Sequence, residues 1–181
     1  MHQYIAFLRG INLGRRRLKM DHLRSLFEEL RFSAVSTFIA SGNVLFETNP
    51  DDASAIEGKI QRHLKKALGY DVETFIRTRD QIASIAVFQP FAATELAAGH
   101  TLHVAFLRES LSNEVARTLS SYTTDVDAFR VHDRELHWLC RVKITESTVW
   151  SSAMMKGLSL PSSTMRNMTT IRKLAAKYSA A

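Results

Sequence analysis

Tyr4-Ile5-Ala6-Phe7-Leu8-Arg9 near the start, and Leu102-His103-Val104-Ala105-Phe106-Leu107-Arg108 past the middle, are the two stretches on which the fold turns. Each is a short apolar run closed by an arginine, as expected of a buried strand that ends in a polar loop. Both contain Ala-Phe-Leu-Arg. Four residues can recur by chance, so the elements that follow each copy decide whether the chain is built twice.

After the first copy, Ile11 to Met20 holds glycine and a basic run and reads as a loop. Asp21 is placed to cap a helix whose Leu23, Leu26, Phe27 and Leu30 share one face. Val35 to Ala40 and Val44 to Phe46 flank the turn residues Ser41-Gly42-Asn43, which predicts an antiparallel pair. Asn49 is the expected cap of a second helix carrying Ile56, Ile60, His63, Leu64 and Ala67, and Gly69 is its expected stop. A strand over Val72 to Ile76 follows. Thr78 with Gln81 then forms a capping box for a helix reaching about Phe88, before Pro90.

The second copy repeats this order. A helix is expected near Leu111 to Leu119, then strands Ala128 to Val131 and Leu136 to Val142 around His132 to Glu135. A C-terminal helix with Ile171, Leu174, Ala175 and Tyr178 on one face comes last, with Asn167 as its expected cap. Between these, Trp150 to Leu158 gives only a short segment, and no strong final strand is read. The expected fold class is α+β: two ferredoxin-like halves of strand, helix, strand, strand, helix with antiparallel sheets, related by internal duplication. The division is placed at residues 1–90 and 91–181. Phe91 to His100 is no low-complexity linker, so the halves are expected to pack tightly.

Composition narrows the class of protein. Hydrophobic residues make up 45% and charged residues 23%, which suits a globular chain rather than a disordered one. The single cysteine, Cys140, excludes an internal disulfide and a cysteine metal cluster. Neither a secretory leader nor a long apolar span is read, so the expected location is cytoplasmic, with no membrane partner. The net charge of +6 is concentrated in two places. Arg9, Arg15, Arg16, Arg17, Lys19 and Arg24 face only Asp21, and after Glu146 the chain carries cations alone. Such a balance suits phosphates or nucleic acid, and equally a solvated basic face.

Three polar clusters interrupt the apolar pattern. Arg9-Gly10-Ile11-Asn12-Leu13-Gly14, with Lys19, combines permissive backbone with a guanidinium that can fork onto a carboxylate or phosphate. It is neither a P-loop nor a dinucleotide fingerprint, and a plain turn with a surface arginine accounts for it too. Ser41-Gly42-Asn43 contains a serine without a nucleophile elbow around it, and turn chemistry explains all three residues. Thr164-Met165-Arg166-Asn167, with Thr169 and Thr170, suits an anion at a helix start or simple capping. The histidines show neither H-E-x-x-H nor C-x-x-C spacing, so no metal and no cofactor are expected. The RNA-recognition signature is absent from both halves, and the alternation of Phe38, Phe46, Phe75, Phe129 and Trp138 does not say which face meets water.

The same three clusters carry a family resemblance. Leu8 to Gly14, Lys19-Met20, Leu23-Arg24, Thr37 to Val44 and Thr164 to Thr170 resemble the family of uncharacterised bacterial proteins catalogued as domain of unknown function 1697. The family usually has glycine where this chain has Arg15, and tryptophan where it has Met168. The resemblance implies a two-part α+β fold with ferredoxin-like halves and carries no established activity.

The shared polar residues Arg9, Asn12, Lys19, Ser41, Asn43, Arg166 and Asn167 are the expected ligand-binding set, gathered in a cleft between the halves. The expected ligand is an anionic, phosphate-bearing small molecule. No residue offers itself as a general base, so no reaction is named. The alternatives are sequence-tolerant nucleic-acid binding through Arg15, Arg16 and Arg17, and a scaffold serving a homodimer or another protein.

Overall fold

The computed structural model describes every residue except Leu13, Arg15, Arg16, Ala40, Ser41, 98–100 and 180–181, together with the side chains of Tyr178 and Ser179. In the first half of the chain the order is β1 (His2–Leu8), α1 (Met20–Glu28), β2 (Ser33–Phe38), β3 (Asn43–Thr48), α2 (Ala53–Leu68), β4 (Thr74–Thr78) and α3 (Arg79–Val87). A short α4 (Ala93–Leu96) leads to β5 (Thr101–Phe106), α5 (Asn113–Ser121), β6 (Asp127–His132), β7 (Glu135–Cys140), α6 (Ala153–Gly157), β8 (Thr164–Asn167) and α7 (Met168–Ser179). Two compact units result, Met1–Ser84 with Leu174–Ala181, and Ile85–Lys173. The end of α7 therefore groups with the first unit rather than with the rest of 91–181.

Each unit holds one four-stranded antiparallel sheet, ordered β2-β3-β1-β4 in the first and β6-β7-β5-β8 in the second. This is the ferredoxin-like order twice over, since the crossover helices force the first strand of each unit between the third and fourth. The registers also correspond. Phe7 faces Asn43 and Phe75, and Phe106 faces Glu135 and Thr164. Ile5 faces Arg77, and Val104 faces Arg166.

Strand β8 corrects the sequence reading, which expects no strong strand there. It is only four residues long and polar, so alternation gives little signal. Its Thr164 and Arg166 are nevertheless buried, and it pairs with β5 from His103 to Phe106.

The core of the first unit lies under one sheet face. Tyr4, Ala6, Leu8, Val44, Phe46 and Ile76 meet Leu23, Leu26 and Phe27 of α1 and Ile56, Ile60 and Leu64 of α2. Stacking of Phe32 on Phe46, at 4.5 Å between centroids, fills one end. The other face of β1 and its neighbours is buried as well, through Ile5, Phe7, Leu45, Phe75 and Arg77. In the second unit Ala105, Leu119, Phe129, Leu136, Trp138, Cys140 and Met155 form the equivalent core. Met168, where the family usually has tryptophan, is buried at the start of α7.

Local signals set the helix ends, with two adjustments. Lys19, not Asp21, occupies the N-cap of α1, and Asp21 sits in its first turn. Asp52, not Asn49, caps α2 by accepting the Ser54 amide, because the helix begins one turn later than expected. Gly69 ends α2 at φ 78°, and Thr78 and Gln81 exchange side-chain and backbone hydrogen bonds at the start of α3.

Candidate functional site

The C-terminal end of β1 is where the first unit gathers its polar loops. The Leu8 amide donates to the Gly42 carbonyl and the Arg9 amide to the Glu73 carbonyl, so the segment leaving β1 runs between the β2–β3 turn and the entry to β4. Gly42 lies so close to this segment that a Cβ built on it would sit 2.7 Å from Ile11 Cγ2 and 3.1 Å from Leu8 Cβ. Its φ of 74° also belongs to the left-handed region.

Within the loop, the Leu18 amide donates to Asn12 Oδ1 at 2.7 Å, and Asn12 Nδ2 donates back to the Leu18 carbonyl at 3.4 Å. This double bridge ties Asn12 to Leu18. Arg17 Nη1 donates to the Gly14 carbonyl at 3.0 Å, and Gly14 itself, at φ 61°, has open space where a side chain would lie. Arg17 and Lys19 are exposed. Lys19 opens α1, whose first turn receives no side-chain cap from it. Arg9 is half-exposed and bonds Glu73 at 2.6 Å.

The remaining expected residues have structural partners. Asn43 is fully buried and donates Nδ2 to the Phe38 carbonyl at 3.0 Å, which pins the β2–β3 connection. Arg166 is buried in β8, where Nη1 donates to Thr164 Oγ1 and to the Met165 carbonyl, and burial pushes its pKa down to about 10. It stays charged at neutral pH. Asn167 accepts the Thr169 amide and so helps to cap α7. Ser41, Arg15 and Arg16 lie outside the described residues. Arg9, Asn12, Lys19 and Asn43 thus share adjoining segments of the first unit, while Arg166 and Asn167 belong to the second.

Two participants escape the sequence reading. Glu73, the partner of Arg9, is invisible without the pairing of β1 and β4. Arg77 falls just outside the strand expected over Val72 to Ile76. It is buried, and its Nη1 donates to the carbonyl of the preceding residue, as Arg166 does at the matching register position. An arginine that follows two apolar strand residues is the available signal.

Among the described residues no cluster of three or more His, Cys, Asp or Glu could hold a metal, and no helix is long and apolar enough to cross a membrane. Comparison with solved structures finds the conserved bacterial protein SP0830 from Streptococcus pneumoniae, with a TM-score of 0.73 at 21% identity over 99% of each chain. At that identity the likeness speaks to the fold alone. No curated protein matches the chain. The profile of the family described as protein of unknown function (DUF1697) matches residues 1–137, and this chain belongs to that family.

Proposed function

We propose that the protein binds an anionic, phosphate-bearing small molecule at the end of β1 in its first unit. One observation carries the reading: Asn12 is bridged to Leu18, on either side of which Arg17 and Lys19 stand exposed just ahead of an α1 first turn without a side-chain cap. Helix-start amides and two cations form a natural cradle for a phosphate. Arg9, paired with Glu73, adds a third cation at the end of β1. Asn12 and Asn43 act as positioning residues, through Leu18 and Phe38. The proposal involves no turnover.

Nucleic acid is the second reading, because the same cations suit a phosphate backbone. Burial of four of the five aromatics named above argues for the small molecule. Phe46, Phe75, Phe129 and Trp138 are buried at 1% exposure or less, leaving only Phe38 partly open.

The test is a thermal-shift and calorimetric screen of phosphorylated metabolites against the wild type and an Arg17→Gln/Lys19→Gln variant. A hit is expected whose affinity drops about tenfold or more in the variant, with circular dichroism unchanged. A hit that binds both proteins equally would refute this site. Duplex or single-stranded nucleic acid binding with a steep salt dependence, lost in the same variant, would favour the second reading.

A further inference from the structure

Alternation brings Leu45 and Glu47 to the same face of β3, and the register sets Ser36 opposite Leu45 and Gln3 opposite Glu47. Arg79 Nη1 donates to Gln3 Oε1 at 3.2 Å, and Gln3 Nε2 donates to Glu47 Oε1 at 2.8 Å. Glu47 thus stands at the end of a side-chain relay. A carboxylate offers about four acceptor positions, so the bond from Gln3 leaves it able to take a further donor.

Gln3, Ser36, Leu45 and Glu47 line a groove of about 140 Å³ in the first unit, together with Ala34 and Lys177. Leu45 is buried, Gln3, Ser36 and Glu47 are half-buried, and Lys177 is exposed. The small Ala34 falls where β2 shifts register, between Ser33 and Ser36, an irregularity common beside active sites. Lys177 Nζ lies 5.8 Å from the Phe38 ring centroid, which draws the ammonium towards β2 without using up its donors. One carboxylate and one ammonium therefore stand on the same groove. Its size suits a very small molecule: an engineered cavity of about 150 Å³ takes up benzene, which has as many heavy atoms as alanine.

We propose that this groove binds a small α-amino acid as its zwitterion, with the ammonium on Glu47 and the carboxylate on Lys177. Ser36 adds a hydroxyl donor for the carboxylate, and Leu45 and Ala34 give the short side chain an apolar surface. The opposite charges set the selectivity. A simple amine is attracted by Glu47 but repelled by Lys177, and for a simple carboxylate or a phosphate ester the two exchange roles. The site lies within the first unit, uses neither Arg17 nor Lys19, and stands whether or not the β1 loop takes a phosphate.

Chemical-shift titration of the labelled full chain with L-alanine, propanoate and ethylamine tests the assignment. Saturable alanine shifts are expected at the amides of Ala34, Ser36, Leu45 and Glu47, with propanoate and ethylamine weaker by about tenfold or more. Lys177→Gln and Glu47→Gln, the latter keeping an acceptor for Gln3, are each expected to weaken alanine by a similar factor. Lys66→Gln, at an exposed lysine of α2, leaves the affinity unchanged and controls for net charge. If Glu47→Gln does not fold, Lys177→Gln at the exposed lysine decides. No saturable shift, equal binding of propanoate or ethylamine, undiminished affinity in a folded groove variant, or an equal loss in Lys66→Gln would overturn the proposal.

Discussion

Replacing Gly42 with alanine is expected to destabilise the protein by roughly 3 kcal/mol, the sum of a left-handed backbone penalty and an overpacking cost. Two features combine at this position. The backbone has φ 74°, and the new Cβ would press against Ile11 Cγ2 at 2.7 Å and Leu8 Cβ at 3.1 Å. Neither neighbour yields easily, because both Ile11 and Leu8 are buried in the core and the Leu8 amide is bonded to Gly42 itself. Gly69 provides the internal control. It has a similar φ of 78°, but a Cβ added there would meet no atom within 4 Å, so Gly69→Ala should cost only about 1 kcal/mol.

Urea denaturation of the three proteins separates steric from backbone strain. Equal losses in the two variants would mean that the β2–β3 turn and the β1 loop touch only loosely. Because that contact also seats the cationic loop, Gly42→Ala should weaken any ligand of the loop as well.

Acid is expected to destabilise the protein through His137 before most carboxylates titrate. His137 is 1% exposed on β7, and its Nδ1 has no hydrogen-bond partner among the described residues. Burial, and secondarily the charge of His132, lower its pKa from 6.5 to about 4. Arg130 faces it across the β6–β7 register, and Phe88 packs at 5.2 Å between centroids. A base whose folded pKa is depressed takes its proton first in the unfolded chain. Stability is therefore unaffected above pH 6.5, falls as the pH drops towards about 4, and loses nothing more from this residue below that.

The full loss is about 3 kcal/mol, of which about 2 kcal/mol is reached near pH 5. Buried His103, also lowered by burial, acts with the same sign. Register equivalence suggests the variant for the test, since Leu45 holds in the first unit the place of His137 in the second. His137→Leu should flatten the stability profile between about pH 6.5 and 4.5 by about 2–3 kcal/mol. An unchanged slope in the variant would show that His137 is not the group responsible.

The repeat of Ala-Phe-Leu-Arg, the glycine stop at Gly69 and the capping box at Thr78 are legible because each is local. They depend on a few consecutive residues and on backbone preferences that tertiary structure does not override. Strand β8 is illegible because buried polar residues, Thr164 and Arg166, occupy positions where alternation looks for apolar ones. Asp52 displaces Asn49 as the cap for a similarly fine reason: either side chain can accept an amide, and only the helix start decides which one does.

The candidate site is legible in its residue types more than in its geometry. Arg9, Asn12 and Lys19 stand out as polar residues around glycines, and they do share one loop. Their partners do not stand out. That Arg9 meets Glu73, that Asn12 bridges to Leu18, and that Asn43 turns inward to Phe38 all follow from strand register and loop closure. A sequence carries that information only through long-range packing.

The phosphate reading at the β1 loop is tested most directly by amide chemical-shift mapping of the labelled full chain during titration with adenosine monophosphate and with inorganic pyrophosphate. Saturable shifts confined to residues 9–21, 42–43 and 73, absent from the Arg17→Gln/Lys19→Gln variant, are the predicted result. No saturable shift with either probe, or shifts that leave this loop untouched, would contradict it.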